Sequence, residues 1–213
     1  MPAEAPIHSF ETTVAFLRRR LAEPLPGTEA QLAMAPLYRQ DATMARVDGK
    51  PCREAGVLAL VFPLAGEPAL LLTVRRDDLP DHPGQVSFPG GRREPGETLR
   101  EAALREAHEE VGLHPGAVEV LGPLTPLYIP PSNFCVYPFV GVAAVLPALR
   151  PQDAEVEALL PAPLPHLLDP ATHRREPWTL RGQQVEVPFL HVEGRKVWGA
   201  TAMMLGELLA LFR

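Results

Sequence analysis

Two apolar runs set the strongest constraint on how this chain can fold. AGVLALVF at 55–62 and ALLLTV at 69–74 are each of strand length, and little more than a GEP turn separates them. The first run is apolar throughout, which suits a strand buried on both faces, and the spacing of the pair predicts a hairpin. Further strands are expected at 117–121, 134–146, 155–160, 184–192 and 195–198. Helices are expected at 8–22, where Phe10, Val14, Leu17 and Leu21 recur at helical spacing, at 98–111 and at 199–212. Strands and helices mix without a regular βαβ repeat, which predicts one α/β (α+β) domain. Residues 1–53, a helix and a proline-punctuated lead-in, should pack on a core formed by 54–213.

Charge and composition exclude several partner classes. The net charge is −6 with no long basic block, so a dedicated nucleic-acid surface has little support, while a small basic pocket stays open. The apolar runs are too short and too broken by proline to span a bilayer, and MPAEAPIHSF does not read as a signal peptide. Cys52 and Cys135 form no CxxC pair, so both read as ordinary thiols of a reduced, cytoplasmic compartment.

The segment LREAHEEVGL (104–113) crowds Glu106, Glu109 and Glu110 at i, i+3 and i+4. Thr98 is the expected N-cap, with Glu101 completing a capping box, and Gly112 is the expected stop. Leu104, Ala107 and Val111 form an apolar stripe, and the three acids occupy a different arc. Like charges at this spacing destabilise a helix by about 0.2–0.5 kcal/mol per pair. A solvated acidic face would normally carry lysine at i+4, and 98–113 contains none. A hard divalent cation with oxygen ligands turns the crowding into an advantage.

Gly91, Glu97, Arg105, Glu106, Glu109, Glu110 and Gly112, followed by Leu113, stand in the pattern G-x5-E-x7-RE-x2-EE-x-G. This resembles the Nudix box, here residues 91–113, with Ala107 smaller than the aliphatic residue usual there. The resemblance implies a mixed β-sheet sandwiched between α-helices, with Mg²⁺- or Mn²⁺-dependent cleavage of a nucleoside diphosphate derivative. Carried over residue by residue, it makes Glu106 and Glu110 metal ligands and Glu109 a third ligand or a helper in deprotonating water. Glu97 and Arg105 become an ion pair that orients the acids, and Gly90 and Gly91 the close backbone approach to the site.

Upstream, LLTVRRDDLPDHPGQVSFPGG (71–91) is similar to the signature of the coenzyme A diphosphatase group. Leu72, Thr73, Arg75, Arg76, Gly84, Phe88, Pro89, Gly90 and Gly91 fit that signature, and Pro80 departs from it where arginine is usual. PPSNFCVYPFVG (130–141) and VWGATAMML (197–205) also resemble segments of that group. The similarity implies hydrolysis of coenzyme A (CoA), or an acyl-CoA, to 3′,5′-ADP and 4′-phosphopantetheine. Arg75, Arg76, His82, Gln85, Gly90 and Gly91 would then line the substrate site.

Plainer readings stand beside these. Either arginine could instead be a surface residue at a strand end, and His82 is as much at home fixing the loop as touching a ligand. Glu155 and Glu157 read as alternating strand residues, one of which could reach the acids as a base. ADP-ribose and NADH are rival substrates, and a catalytically silent nucleotide sensor is the rival class. A homodimer stays open.

Overall fold

A computed structural model describes residues 9–79, 84–145, 148–152, 155–180 and 182–213. In chain order the helices are α1 (Phe10–Arg20), α2 (Gly27–Leu32), α3 (Ala42–Ala45), α4 (Leu99–Val111), α5 (Leu164–Leu168) and α6 (Gly199–Ala210). The strands are β1 (Arg53–Leu64), β2 (Glu67–Arg75), β3 (Val86–Ser87), β4 (Gly90–Arg92), β5 (Glu119–Pro123), β6 (Leu127–Ile129), β7 (Phe134–Val142), β8 (Val156–Pro163), β9 (His173–Leu180), β10 (Gln183–Val192) and β11 (Arg195–Trp198).

The two apolar runs are the β1–β2 hairpin, paired from Leu64↔Glu67 to Val61↔Leu70. The turn is Ala65–Gly66 rather than GEP, with φ of 50° and 89°. Positive φ at both central residues follows the right-handed twist of the flanking strands. Beyond Val61↔Leu70 the partners change: residues 55–57 of β1 pair with β4, while residues 73 and 74 of β2 pair with β3. On its other edge β1 runs parallel to β7, and β2 runs antiparallel to β8. Eight strands thus form one mixed sheet, and β9, β10 and β11 form a separate three-stranded sheet.

Alternation along β1 explains why its run is apolar throughout. Val57, Ala59 and Val61 join a core with Phe10, Leu17, Leu208 and Leu209, whereas Leu58, Leu60 and Phe62 join one with Ala103, Ala107 and Val111 of α4. Helices therefore cover both faces of a mixed sheet, and both side-chain sets of the strand are buried.

Several expectations need correction. Ala103, fully buried, leads the α4 stripe, and Leu104 is only partly buried. The cause is close approach: a Cβ on Gly56 would lie 2.1 Å from the Leu99 carbonyl oxygen, so only small residues fit where α4 meets β1. The strand expected at 134–146 ends at Val142, and Glu155 lies in a turn before β8. The proline-punctuated lead-in holds α2 and α3. Cys52 and Cys135 are not free thiols but a disulfide, with Cα atoms 5.7 Å apart across the β1–β7 pairing. The compartment argument built on reduced cysteines therefore loses its basis. Among the described residues, no helix is long and apolar enough to cross a membrane.

Candidate active site

Helix α4 begins as the sequence indicates, with Thr98 and Glu101 in a reciprocal capping box, and ends on Gly112 at φ 71°. Burial of Ala103, Ala107 and Val111 against β1 sets the rotation of the helix, and with it the direction of its acids. The neighbouring strand β4 is squeezed against β1. A Cβ on Gly90 would lie 2.4 Å from the Gly56 carbonyl oxygen, and one on Gly91 would lie 2.4 Å from the Glu106 carboxyl carbon. Gly90 also has φ 150°, a conformation nearly restricted to glycine. With both side chains absent, the α4 carboxylates lie directly against the β4 backbone, and the Gly90 N–H donates to Glu110 Oε2 at 3.1 Å.

Arg105 organises one side of the cluster. Its guanidinium donates to both Glu97 oxygens at 3.1 and 2.9 Å, to Glu106 Oε1 at 3.0 Å, to Glu109 Oε2 at 2.9 Å and to the Arg92 carbonyl at 3.0 Å. The bond from Arg105 holds Glu97 below the usual carboxylate range, and the bond to Glu97 chiefly raises Arg105 itself. Glu106 and Glu110 behave oppositely. Burial raises Glu106 against the pull of Arg105, and burial pushes Glu110 up to about 8, with Glu106 and Glu155 adding like charge. Glu109 is the outermost of the three, its side chain 56% exposed.

Among the described residues no three His, Cys, Asp or Glu side chains already form a metal cage. The donor set nevertheless suits a hard cation. Glu110 is a largely buried carboxylate whose one hydrogen bond comes from a neutral backbone N–H, and Glu106 stands one helical turn away. A divalent ion taking carboxylate oxygens would relieve the burial and the mutual repulsion together.

A family model described as the NUDIX domain matches residues 53–181, more than half of the chain. The chain belongs to the Nudix family. Nudix hydrolases act on nucleoside diphosphate derivatives and generally use divalent ions such as Mg²⁺ or Mn²⁺. Over 157 residues the chain is 37% identical to a Photorhabdus laumondii protein described as uncharacterized Nudix hydrolase NudL, covering 73% of this chain and 83% of that one. A Yersinia pestis protein of the same description is 38% identical over 157 residues, covering 73% and 78%. Among solved structures, the Nudix hydrolase RenU from M. smegmatis aligns with 54% of this chain and 72% of its own at 25% identity and TM-score 0.43. A MutT protein from Methanosarcina mazei aligns with 76% and 95% at 17% identity and TM-score 0.48.

Around the Nudix box, the end of β2 supplies the cations. Arg75 N–H donates to the Gln85 carbonyl and Arg76 N–H to that of Glu155, at 2.9 and 3.0 Å. Arg75 Nη1 also meets Glu155 Oε2 at 3.1 Å, and Arg76 holds Asp78 with two bonds of 2.8 Å. Arg75 lies close enough to Glu110 to act on its charge. His82 and Pro80 lie outside the described residues.

Glu155 and Glu157 part company. Arg150 and Gln152 are tied to the end of α4, their N–H groups donating to the Val111 and Glu110 carbonyls at 3.0 and 2.8 Å. Glu155 therefore stands beside Arg75 and the α4 acids, while Glu157 faces Arg195 at 4.0 Å. Sequence spacing offers no signal for this choice, because the tether is made by backbone groups alone.

Proposed function

We propose that this Nudix hydrolase cleaves the diphosphate of coenzyme A, and of acyl-CoA, to 3′,5′-ADP and 4′-phosphopantetheine or its acyl form. The observation that carries the reading is Arg75 at the end of β2, within electrostatic reach of the buried Glu110 of α4 and paired with Glu155, with Arg76 next to it in the chain. Guanidinium groups suit phosphate oxygens, and the carboxylates suit the cation that a diphosphate brings with it. The choice of CoA is supported by residues 71–91, with Arg75, Arg76, His82, Gln85, Gly90 and Gly91 as the substrate-side residues.

Glu106 and Glu110 would hold Mg²⁺ or Mn²⁺, with Glu109 at the open side. A cation there supplies charge neutralisation at the diphosphate and lowers the pKa of water. The protein's own part is positioning. Arg105 and Glu97 fix the carboxylate directions, the β4 glycines let the backbone come close, and Arg75 and Arg76 orient the phosphates. In the reaction a water oxygen bonds to one phosphorus, the bridging P–O bond breaks, and both products leave as phosphate monoesters.

The test is a substrate panel of CoA, acetyl-CoA, dephospho-CoA, ADP-ribose and NADH with each cation. CoA or acetyl-CoA should have the highest kcat/KM. A tenfold preference for ADP-ribose or NADH, about 1.4 kcal/mol in the transition state, would overturn the assignment.

A further inference from the structure

Away from the acids, the two residues that follow α2, together with α6, its C-terminal end and the β9–β10 ladder, line an open cavity of about 460 Å³. Its floor is apolar: Met34, Pro188, Gly206 and Leu209. Gly206 makes that floor possible, since a Cβ there would come within 3.0 Å of Met34 Cγ and the Ala30 carbonyl oxygen. Met34 and Leu209 belong to the core on the face of the main sheet opposite α4, so the sheet separates this cavity from the Nudix acids.

The walls are cationic. Arg174, Arg175 and Arg213 are among its lining residues, beside His173. Among the described residues none of these arginines has a carboxylate within ion-pair distance. Arg174 Nε and Arg175 Nη2 reach only the carbonyls of Ala171 and Ala33, at 3.4 and 3.5 Å. Glu176, next in β9, is engaged by Lys196 and Trp178. A chain of net charge −6 thus places Arg175 and Arg213 at one apolar notch, while Arg174, the neighbouring residue of β9, acts on the charge of Glu176.

We propose that this notch binds a small organic phosphate: a phosphate monoester held by the arginines, with an apolar or heteroaromatic body on the Met34–Leu209 floor. Guanidinium forks match phosphate oxygens in geometry as well as charge. The volume lies within the ~300–1,000 Å³ usual for small-molecule sites and exceeds what inorganic phosphate alone would fill. The inference is independent of the hydrolytic reading, because no residue is shared between the two sites.

Met34 supplies the readout. The protein carrying ¹³C-methyl methionine, with the Met34 signal assigned through Met34→Leu, is titrated in EDTA with AMP, adenosine and inorganic phosphate. AMP should move the Met34 methyl signal saturably, with at least about tenfold higher affinity than either fragment. The Arg175→Gln/Arg213→Gln double variant, checked by its circular dichroism and Tm, should weaken that titration at least about tenfold. Arg75→Gln and Arg76→Gln should leave it unchanged. No shift at about 10 mM AMP, equal binding of adenosine, or a shift that survives the double variant would each overturn the site.

Discussion

Replacing Glu110 with glutamine should stabilise the metal-free protein at alkaline pH, although the residue belongs to the proposed metal site. An unfolded glutamate titrates near 4.5, whereas burial pushes folded Glu110 up to about 8. Between those values the folded state holds the extra proton, so the Glu110 contribution to stability is greatest below about pH 4.5 and is lost as pH rises toward 8. At about 1.4 kcal/mol per pH unit the full span approaches 5 kcal/mol. Residual exposure of the carboxylate and the burial of an amide in its place reduce the expected gain at pH 8 to about 2 kcal/mol, or about 4–8 °C in Tm for a chain of this size. The assay is thermal unfolding of both proteins in EDTA from pH 5 to pH 8.5. The curves should converge at pH 5 and separate as pH rises. Added Mg²⁺ should raise the wild-type Tm at pH 8 and have much less effect on the variant. Parallel pH profiles, or a variant less stable than wild type at pH 8, would refute the account of Glu110 as a buried acid awaiting a cation.

The two β4 glycines should separate catalysis from folding. In Gly91→Ala the nearest atoms to the new Cβ are those of the movable Glu106 carboxylate, so Tm should change little while turnover falls about a hundredfold in steady-state assays. Gly90→Ala meets the backbone of Gly56 and Val57 and demands φ 150°, so it should lower stability by about 2 kcal/mol or more in denaturant titrations. Arg105→Lys keeps the charge but cannot serve Glu97, Glu106, Glu109 and the Arg92 carbonyl together; kcat should drop at least about tenfold with KM little changed. Cys52→Ser opens a cross-link between residues 83 apart, which the chain-entropy account values at up to about 4.5 kcal/mol; equal Tm values for wild type and variant would mean the bond is not formed in solution.

The parts of this fold legible in the sequence are those whose cause is local. The β1–β2 hairpin shows in its apolar runs, and α4 in Thr98, Glu101 and Gly112, because cap and stop are chemistry within a few residues. Strand β9 was not legible: HRREPWTL is charged, interrupted by proline and largely exposed, so it carries no alternating apolar signal. The disulfide was hidden for another reason, since only the parallel register of β1 and β7 brings Cys52 to Cys135. The α4 stripe is legible at Ala107 and Val111 and differs only at its first member, because volume decides it; Gly56 lets the helix so close that Ala103 takes the fully buried place and Leu104 packs at its side. At the candidate site, the acids and Arg105 stand together on one helix and are readable from spacing. Glu155 reaches them through backbone bonds from Arg150 and Gln152, which no spacing records.

The most direct test of the central reading is ³¹P NMR of CoA incubated with the Mg²⁺-loaded protein in ¹⁸O-enriched water. The diphosphate resonances should give way to two phosphate monoesters, 3′,5′-ADP and 4′-phosphopantetheine, one of them carrying a single ¹⁸O at its new oxygen. An intact diphosphate, or release of inorganic phosphate with the diphosphate retained, would contradict it.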